Sequence, residues 1–165
     1  MPLQIISATS AHAAEINTLL HELAAFEKLP EGPELSEGEI GEAIANKNLH
    51  GLLAYMDEEL AGFALFDYSF CTWQGKYMFL HEIFVRPAHR KHGVGKGLWK
   101  AIAKLAHEQN LARIQLDVLD WNTDAIKFYK AFGAVDFTKE EGWRDFRVPR
   151  SEIAKFAAAN PSAAV

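Results

Sequence analysis

The sequence predicts an α/β fold of the α+β kind: a mixed, mostly antiparallel central sheet flanked by helices. Three observations lead there. Runs rich in β-branched and aromatic residues alternate with helical stripes in the order βααβββαβαββ, and strands in succession followed by strand–helix–strand crossings require both antiparallel and parallel pairing. Hydrophobic residues make up 49% and charged residues 24% of the chain, an ordinary globular mix that excludes disorder of its body. The 165 residues hold no internal repeat and no linker long enough to divide the chain, so one domain over residues 1–156 is expected, with a flexible tail at 157–165.

Each element has its own signal. Leu3 and Ile5 mark a short first strand, and Thr9 or Ser10 caps the helix that follows. Ile16, Leu19, Leu20 and Leu23 give that helix an apolar stripe, and it should end near Lys28 because Pro30, Gly32 and Pro33 break it. Ser36 caps a second helix carrying Ile40 and Ile44. Residues 50–56 and 60–69 read as strands joined at Asp57-Glu58-Glu59, and Gly75 to Val85 as a long strand stopped by Pro87. Gly93 and Gly95 open a helix with Leu98, Ile102, Leu105 and Ala106 on one face. Ile114, Leu116 and Val118 alternate with polar residues as a half-buried strand. Asn122 caps a short helix through Phe132, with Gly133 as its left-handed C-terminal residue. Val135 to Val148 is expected to close the sheet as a hairpin.

Charge and cysteine content bound the function. The net charge of −5 disfavours nucleic acid as a partner. Residues 1–60 hold eleven acidic and two basic side chains, whereas Arg86 to Lys104 holds six basic ones and no acidic one, so one region suits a cation and another an anion. No run approaches the roughly 18 apolar residues of a membrane span. Met1-Pro-Leu-Gln lacks the basic and apolar regions of a signal peptide, so a cytoplasmic protein is expected. Cys71 stands alone, without an activating partner recognisable in the sequence, and the seven histidines form no HExxH pair, so no metal is expected.

The segment richest in chemistry is Arg86-Pro-Ala-His-Arg-Lys-His-Gly-Val-Gly-Lys-Gly97, between a strong strand and a strong helix. Gly93 and Gly95 let a ligand approach bare backbone, and successive N–H groups at a helix N-terminus form a nest for phosphate. Arg90, Lys91 and Lys96 add full charge beside it. The spacing matches neither GxxxxGK[ST] nor GxGxxG, so neither a Walker loop nor a dinucleotide fingerprint is present.

Arg90-Lys-His-Gly-Val-Gly95, after a strand ending Ile83-Phe84-Val85, resembles the R/Q-x-x-G-x-G/A loop of the GNAT N-acetyltransferase superfamily. Trp121-Asn122, Phe128-Tyr129-Lys130 and Phe132-Gly133-Ala134 resemble its second cofactor motif. Glu22-Leu-Ala-Ala-Phe-Glu27 and Glu140-Glu-Gly-Trp-Arg144 resemble the spermidine/spermine (diamine) branch, including its thialysine-acetylating relatives. The resemblance covers roughly residues 3–155. It implies a GNAT fold and an enzyme that moves the acetyl group of acetyl-CoA directly to a small primary amine, a di- or polyamine or a thialysine-like amino acid. It also implies a homodimer. A GNAT acting on a protein N-terminus, a lysine or an antibiotic amine shares the same motifs. So does a non-catalytic acyl-CoA-binding module, though a sensor has no need of Tyr129 and Glu82.

The resemblance places the cofactor on Ile83, Phe84 and Val85, on the loop Arg90, Lys91, His92, Gly93, Val94, Gly95 and Lys96, and on Asn122, Ala125 and Tyr129. Ile83 and Val85 pair their backbone with the pantetheine arm in this reading. Tyr129 protonates the departing thiolate, a step a phenol with a pKa of about 10 can perform. A primary amine is nearly all ammonium at neutral pH and must lose a proton first; His81 or Glu82 on the central strand is the base. In a regular strand Met78, Leu80, Glu82 and Phe84 share one face and Phe79, His81, Ile83 and Val85 the other. Relatives carry a bulge here that lets both contribute. The diamine branch is typically acidic at both positions, and this chain has His81 at the first. Amine recognition in that branch corresponds to Glu27, Trp73, Glu82, Asp117 and Glu141, carboxylates for ammonium groups and an indole for a cation–π face.

Overall fold

The computed structural model describes residues 2–158. After Asp117 the chain passes from one compact unit to a second, Val118–Val165. The first unit contains β1 (Leu3–Ser7), α1 (Ala13–Phe26), α2 (Glu37–Ala45), β2 (His50–Met56), β3 (Glu59–Cys71), β4 (Gly75–Val85), α3 (Val94–Glu108) and β5 (Ile114–Leu116). Its five-stranded sheet has the order β1-β2-β3-β4-β5. The first three pairings are antiparallel and β4–β5 is parallel. The mixed, mostly antiparallel sheet expected from the element order is thus present, with α3 as the crossover a parallel pair requires.

Local chemistry sets the boundaries. Thr9 closes a capping box with His12 around the 3-10 turn Ser10–His12 that leads into α1. The helix stops at Phe26, and Lys28 adopts a left-handed φ of 59° before the prolines. Ser36 and Glu39 form the reciprocal box of α2, with the Ser36 N–H donating to Glu39 Oε2 at 2.8 Å and Glu39 N–H to Ser36 Oγ at 3.3 Å. Asp57 and Glu58, both with positive φ, make the tight hairpin between β2 and β3, which starts at Glu59 and runs to Cys71.

The sheet buries side chains on both faces. Leu53, Phe63, Leu65 and Phe84 pack against Ile16, Leu19 and Leu23 of α1 and Ile40 of α2. The opposite face receives α3, whose Val94, Leu98 and Ile102 are buried. There Gly97 lies so close to β1 that a Cβ would come within 2.5 Å of the end of the Leu3 side chain, which would have to shift.

The second unit contains α4 (Thr123–Ala131), α5 (Phe137–Glu141) and α6 (Arg150–Ala158). Asn122 Oδ1 accepts the Ala125 N–H at 3.3 Å as the N-cap of α4. Gly133 (φ 90°) ends that helix, with Gly133 N–H donating to the Lys130 carbonyl and Ala134 N–H to Tyr129, the two bonds of a Schellman motif. The hairpin expected over Val135–Val148, all of it within the described residues, is absent. Asp136 instead caps a helix by accepting the Lys139 N–H, good helix formers follow, and Gly142 stops it in the left-handed region. Ala157 and Ala158, placed in the tail by the sequence, complete α6; residues 159–165 of that tail lie outside the described residues. Among the described residues no helix is long and apolar enough to cross a membrane.

Candidate active site

The site begins where a ladder stops. β4 pairs with β3 along its whole length but with β5 only over Met78–Leu80. Past Leu80 one edge of β4 has no strand partner among the described residues. The Arg86 N–H donates to the Ala61 carbonyl on the β3 side, and alternate residues of an antiparallel strand turn their amides to opposite edges. Ile83 and Val85 therefore present N–H and C=O to the open edge. The Phe84 side chain is buried against Phe63 and Phe26, so only its backbone borders the site. Asp117 follows the last β5 pair, Leu80–Leu116, at the mouth of the fork.

The fork coincides with a bulge. Leu65 faces Glu82, but its neighbour Phe66 faces Leu80, leaving His81 as the extra residue. Strict alternation is broken there. Met78 and Leu80 stay on the α3 face, while Glu82 and Phe84 lie on the α1–α2 face with Leu65 and Phe63. His81 joins them: its Nε2 lies 2.7 Å from Oδ2 of Asp67, which follows Leu65 on the same face of β3, and its ring packs 4.9 Å from Phe79. The bulge thus puts the imidazole and the carboxylate of adjacent residues on one face.

Burial sets the chemistry of that face. It pushes the Glu82 carboxyl up to about 7, with the Glu27 carboxylate adding repulsion. Glu27, just past the end of α1, is itself raised by burial. Glu27 and Glu82 are therefore brought together as an acidic pair close to water. Trp73 does not join them. It sits 94% exposed at the β3–β4 turn, beyond Gly75, and from Gly75 to Glu82 the strand runs seven residues, roughly 23 Å at about 3.3 Å per residue.

The basic loop leads from β4 into α3. Gly93 is the N-cap of α3 with φ 86°, and Lys91 also has positive φ, at 65°. A Cβ at Gly93 would meet nothing within 4 Å, so the backbone there is bare and accessible. The free N–H groups of the first helical turn begin at Val94, whose side chain is buried, and Gly95 is part of that turn with helical rather than left-handed backbone. His92, Lys91 and Lys96 are exposed. Arg90 is committed elsewhere: its Nε donates to the Val85 carbonyl at 2.9 Å and its guanidinium lies 4.7 Å from the Phe26 ring centroid.

In the second unit Tyr129 is buried on α4, edge-on to Phe128, and Ala125 lies one turn earlier. Glu141 ends α5, where its Oε2 accepts the Trp143 Nε1–H at 2.6 Å. Two features of the first unit are not legible as site chemistry in the sequence. Asp67 reads as one of many polar residues on a strand, and only its place two residues past Leu65 hints that it shares a face with the core. Cys71, read as inert, has its thiol lowered by the Trp73 N–H, Arg113 and the Gln74 N–H, in that order.

Comparisons with known proteins bear on the fold. The family model described as Acetyltransferase (GNAT) family matches residues 16–134. A thialysine N-epsilon-acetyltransferase from Caenorhabditis elegans is 38% identical over 154 residues, spanning 93% of this chain and 96% of its own. Among solved structures, an integron cassette protein from the mobile metagenome of V. cholerae superposes with a TM-score of 0.76 at 21% identity, covering 96% of this chain and 99% of the other. A predicted acetyltransferase from Clostridium acetobutylicum, solved with acetyl-CoA, gives 0.72 at 16% identity, covering 88% and 96%.

Proposed function

The chain belongs to the acetyltransferase (GNAT) family, and from that premise we propose that it transfers the acetyl group of acetyl-CoA directly to the primary amine of a small di- or polyamine or thialysine-like amino acid. The observation that carries the proposal is Glu82, a carboxyl pushed up to about 7 on the bulge of the forked strand. A base works best when its pKa lies near the operating pH. Glu82 takes a proton from the bound ammonium, and the freed nitrogen attacks the thioester carbonyl carbon. The C–S bond breaks as the Tyr129 phenol gives its proton to the departing thiolate, and the second proton of the attacking nitrogen, lost as the amide forms, returns the phenolate to phenol.

The other residues take roles around this step. The loop Arg90–Lys96 holds the pyrophosphate through its backbone nest, Ile83 and Val85 pair their backbone with the pantetheine arm while Phe84 borders it, and Asn122 and Ala125 contribute from α4. Glu27, Glu82, Asp117 and Glu141 serve the acceptor amine, without Trp73, which lies at the other end of β4. The full-length relative from C. elegans, named for acetylating thialysine at Nε, supports an acceptor of this size. Residues 1–156 act as one catalytic domain, in the cytoplasm, as a homodimer. Trp73, Trp143 and Phe146 are 94%, 65% and 86% exposed, and aromatic surface of this kind suits an interface.

A screen of the purified protein with acetyl-CoA against polyamines, thialysine, lysine and aminoglycosides tests the proposal. Thiol release with a small polyamine or thialysine is expected; turnover restricted to aminoglycosides, or none with any amine, overturns it. Light scattering at micromolar concentration tests the dimer, which a clean 18.4 kDa species would refute.

A further inference from the structure

Arg90 opens the glycine loop, yet its side chain reaches back to the strand. Its Nε donates at 2.9 Å to the carbonyl of Val85, five residues earlier on the open edge of β4. Its guanidinium lies 4.7 Å from the Phe26 ring centroid and 5.8 Å from that of Phe84. We infer that Arg90 is a positioning residue for the acceptor: its side chain holds the last turn of α1, and with it Glu27, against the end of β4. The inference rests on the proposed role of Glu27 toward the amine and concerns the same site.

The end of α1 is fixed by its backbone and by this stack. The Leu29 N–H donates to the Ala24 carbonyl at 3.0 Å and the Lys28 N–H to the Ala25 carbonyl at 3.3 Å, the two bonds of a Schellman motif. Glycine usually takes the left-handed position of that motif. Here it is Lys28, with φ 59°, a conformation that is costly with a Cβ and persists where surrounding contacts enforce it. Phe26 supplies such contacts. Its ring packs 6.4 Å from that of Phe84, centroid to centroid, and lies beside the Arg90 guanidinium. Phe26 is the last residue of α1 and Glu27 its C-cap, so docking the ring sets where the next side chain starts.

A guanidinium suits this place. It is planar, always charged and weakly hydrated, so it lies against a ring while one N–H stays on the strand carbonyl. An ammonium brings the charge without the plane. The consequence lies at the acidic pair. Glu27 is the carboxylate whose repulsion adds to burial in raising Glu82, so the two are held close. With the Phe26 ring loosened, that repulsion drives Glu27 toward solvent, and the pair that receives the ammonium opens. The backbone of Arg90 belongs to the loop and its side chain serves the amine. One residue thus joins the cofactor loop to the acceptor end of the site.

The test compares Arg90→Met, Arg90→Lys, Phe26→Leu and Phe26→Trp with the wild type. In the free protein, Arg90→Met and Phe26→Leu should speed hydrogen exchange of the Lys28 and Leu29 amides by roughly 3–30-fold, the span of a cation–π contact from exposed to partly buried. Arg90→Lys should fall between, and Phe26→Trp, which keeps an aromatic face, should exchange as the wild type does. In steady state with thialysine and with spermidine, Arg90→Met and Phe26→Leu should raise KM for the amine by similar factors and more than they weaken acetyl-CoA binding in calorimetric titration. The double variant should be little worse than either alone, as expected of two partners in one contact. An Arg90→Met that weakens acetyl-CoA binding and leaves the amine KM in place, with Phe26→Leu altering neither, makes the side chain a phosphate ligand and overturns the inference. So does unchanged exchange at Lys28 and Leu29 in folded Arg90→Met and Phe26→Leu; both results leave the small-amine reading standing. A wild type that releases no thiol with any small amine overturns that reading, and the inference with it.

Discussion

The two halves of β4 differ in everything but their place in one strand. Met78, Leu80 and their neighbours have partners on both edges, β3 on one side and β5 on the other, and both side chains are fully buried. From His81 to Val85 there is, among the described residues, a strand partner on one edge only, with a bulge and a carboxyl raised to about 7. The first half does what strands do in any core. The second has exchanged pairing and burial for backbone groups that face outward and for a carboxyl whose charge is costly. A strand that continued its ladder past Leu80 would have neither an open edge nor two titratable neighbours on one face. The site is thus a local withdrawal of structure from an otherwise complete sheet.

If that division is right, equivalent insults to the two halves have different consequences. The largest should come from Glu82→Gln. Removing the base leaves shape and size nearly unchanged and should lower kcat by roughly 10²–10⁴-fold, the usual contribution of a positioned acid or base. The wild-type kcat/KM should rise with pH on its acid side with a midpoint near 7, and the variant should lack that limb. Steady-state kinetics over pH checks this; an unchanged acid limb in Glu82→Gln would move the base to another residue.

Two residues earlier the effect should turn from activity to stability. Leu80 is 1% exposed on the α3 face, beside Met78 and opposite Phe66. Leu80→Ala should cost about 2–5 kcal/mol, the range for cavities left by buried leucines. Urea unfolding measures it. A loss below about 1 kcal/mol would mean that this half of the strand is no better packed than the fork.

Glu82→Gln should also affect stability, with the opposite sign. A carboxyl whose pKa is raised from 4.5 to about 7 on folding binds its proton more tightly in the folded state. Its contribution is fully favourable below about 4.5 and is lost as pH rises through about 7. Above that pH the ionised group opposes folding by up to roughly 3 kcal/mol, since a tenfold change in proton affinity corresponds to about 1.4 kcal/mol. The glutamine variant, which cannot ionise, should melt higher than wild type at pH 8 and show no such advantage at pH 4.5. Thermal denaturation at the two pH values decides it, and equal differences at both would show that Glu82 is solvated.

Much of this contrast is readable in the sequence and some is not. The span Gly75 to Val85 follows from its β-branched and aromatic run ahead of Pro87, and the helices at Ser36 and Asn122 follow from their caps, because these are local signals. The glycine loop stands out by composition. The pairing of Asp67 with His81 does not, because it depends on the register between two strands, and a single bulge moves a side chain from one face to the other. Resemblance supplies the bulge; alternation alone puts His81 and Glu82 on opposite faces. Charge assigns Arg90 to the phosphate, yet its Nε is bound to the Val85 carbonyl, because a long side chain follows whichever acceptor is left open. The hairpin expected after Val135 gives way where Asp136 offers a stronger local cap than the alternation of Val135 and Phe137 can oppose.

The smallest of the expected effects concerns the loop that continues the open half of β4. Gly93 has φ 86°, a conformation costly to residues with a Cβ and worst for β-branched ones. Space is not the obstacle, because a Cβ there would meet nothing within 4 Å. Gly93→Val should therefore act in two separable ways. Backbone strain should lower stability by about 1–2 kcal/mol, the usual range for a side chain forced into this region. The new methyl groups should also project into the open space from which a phosphate reaches the N–H groups at the start of α3, weakening acetyl-CoA binding by about tenfold or more while leaving the Glu82 limb of the pH profile in place. Gly93→Ala separates the two, since it carries most of the strain and little of the bulk. Calorimetric titration with acetyl-CoA should show Gly93→Ala closer to wild type than Gly93→Val. Equal affinities in all three folded proteins would show that the nest does not hold the cofactor, and that the fork of β4 binds it without help from the loop.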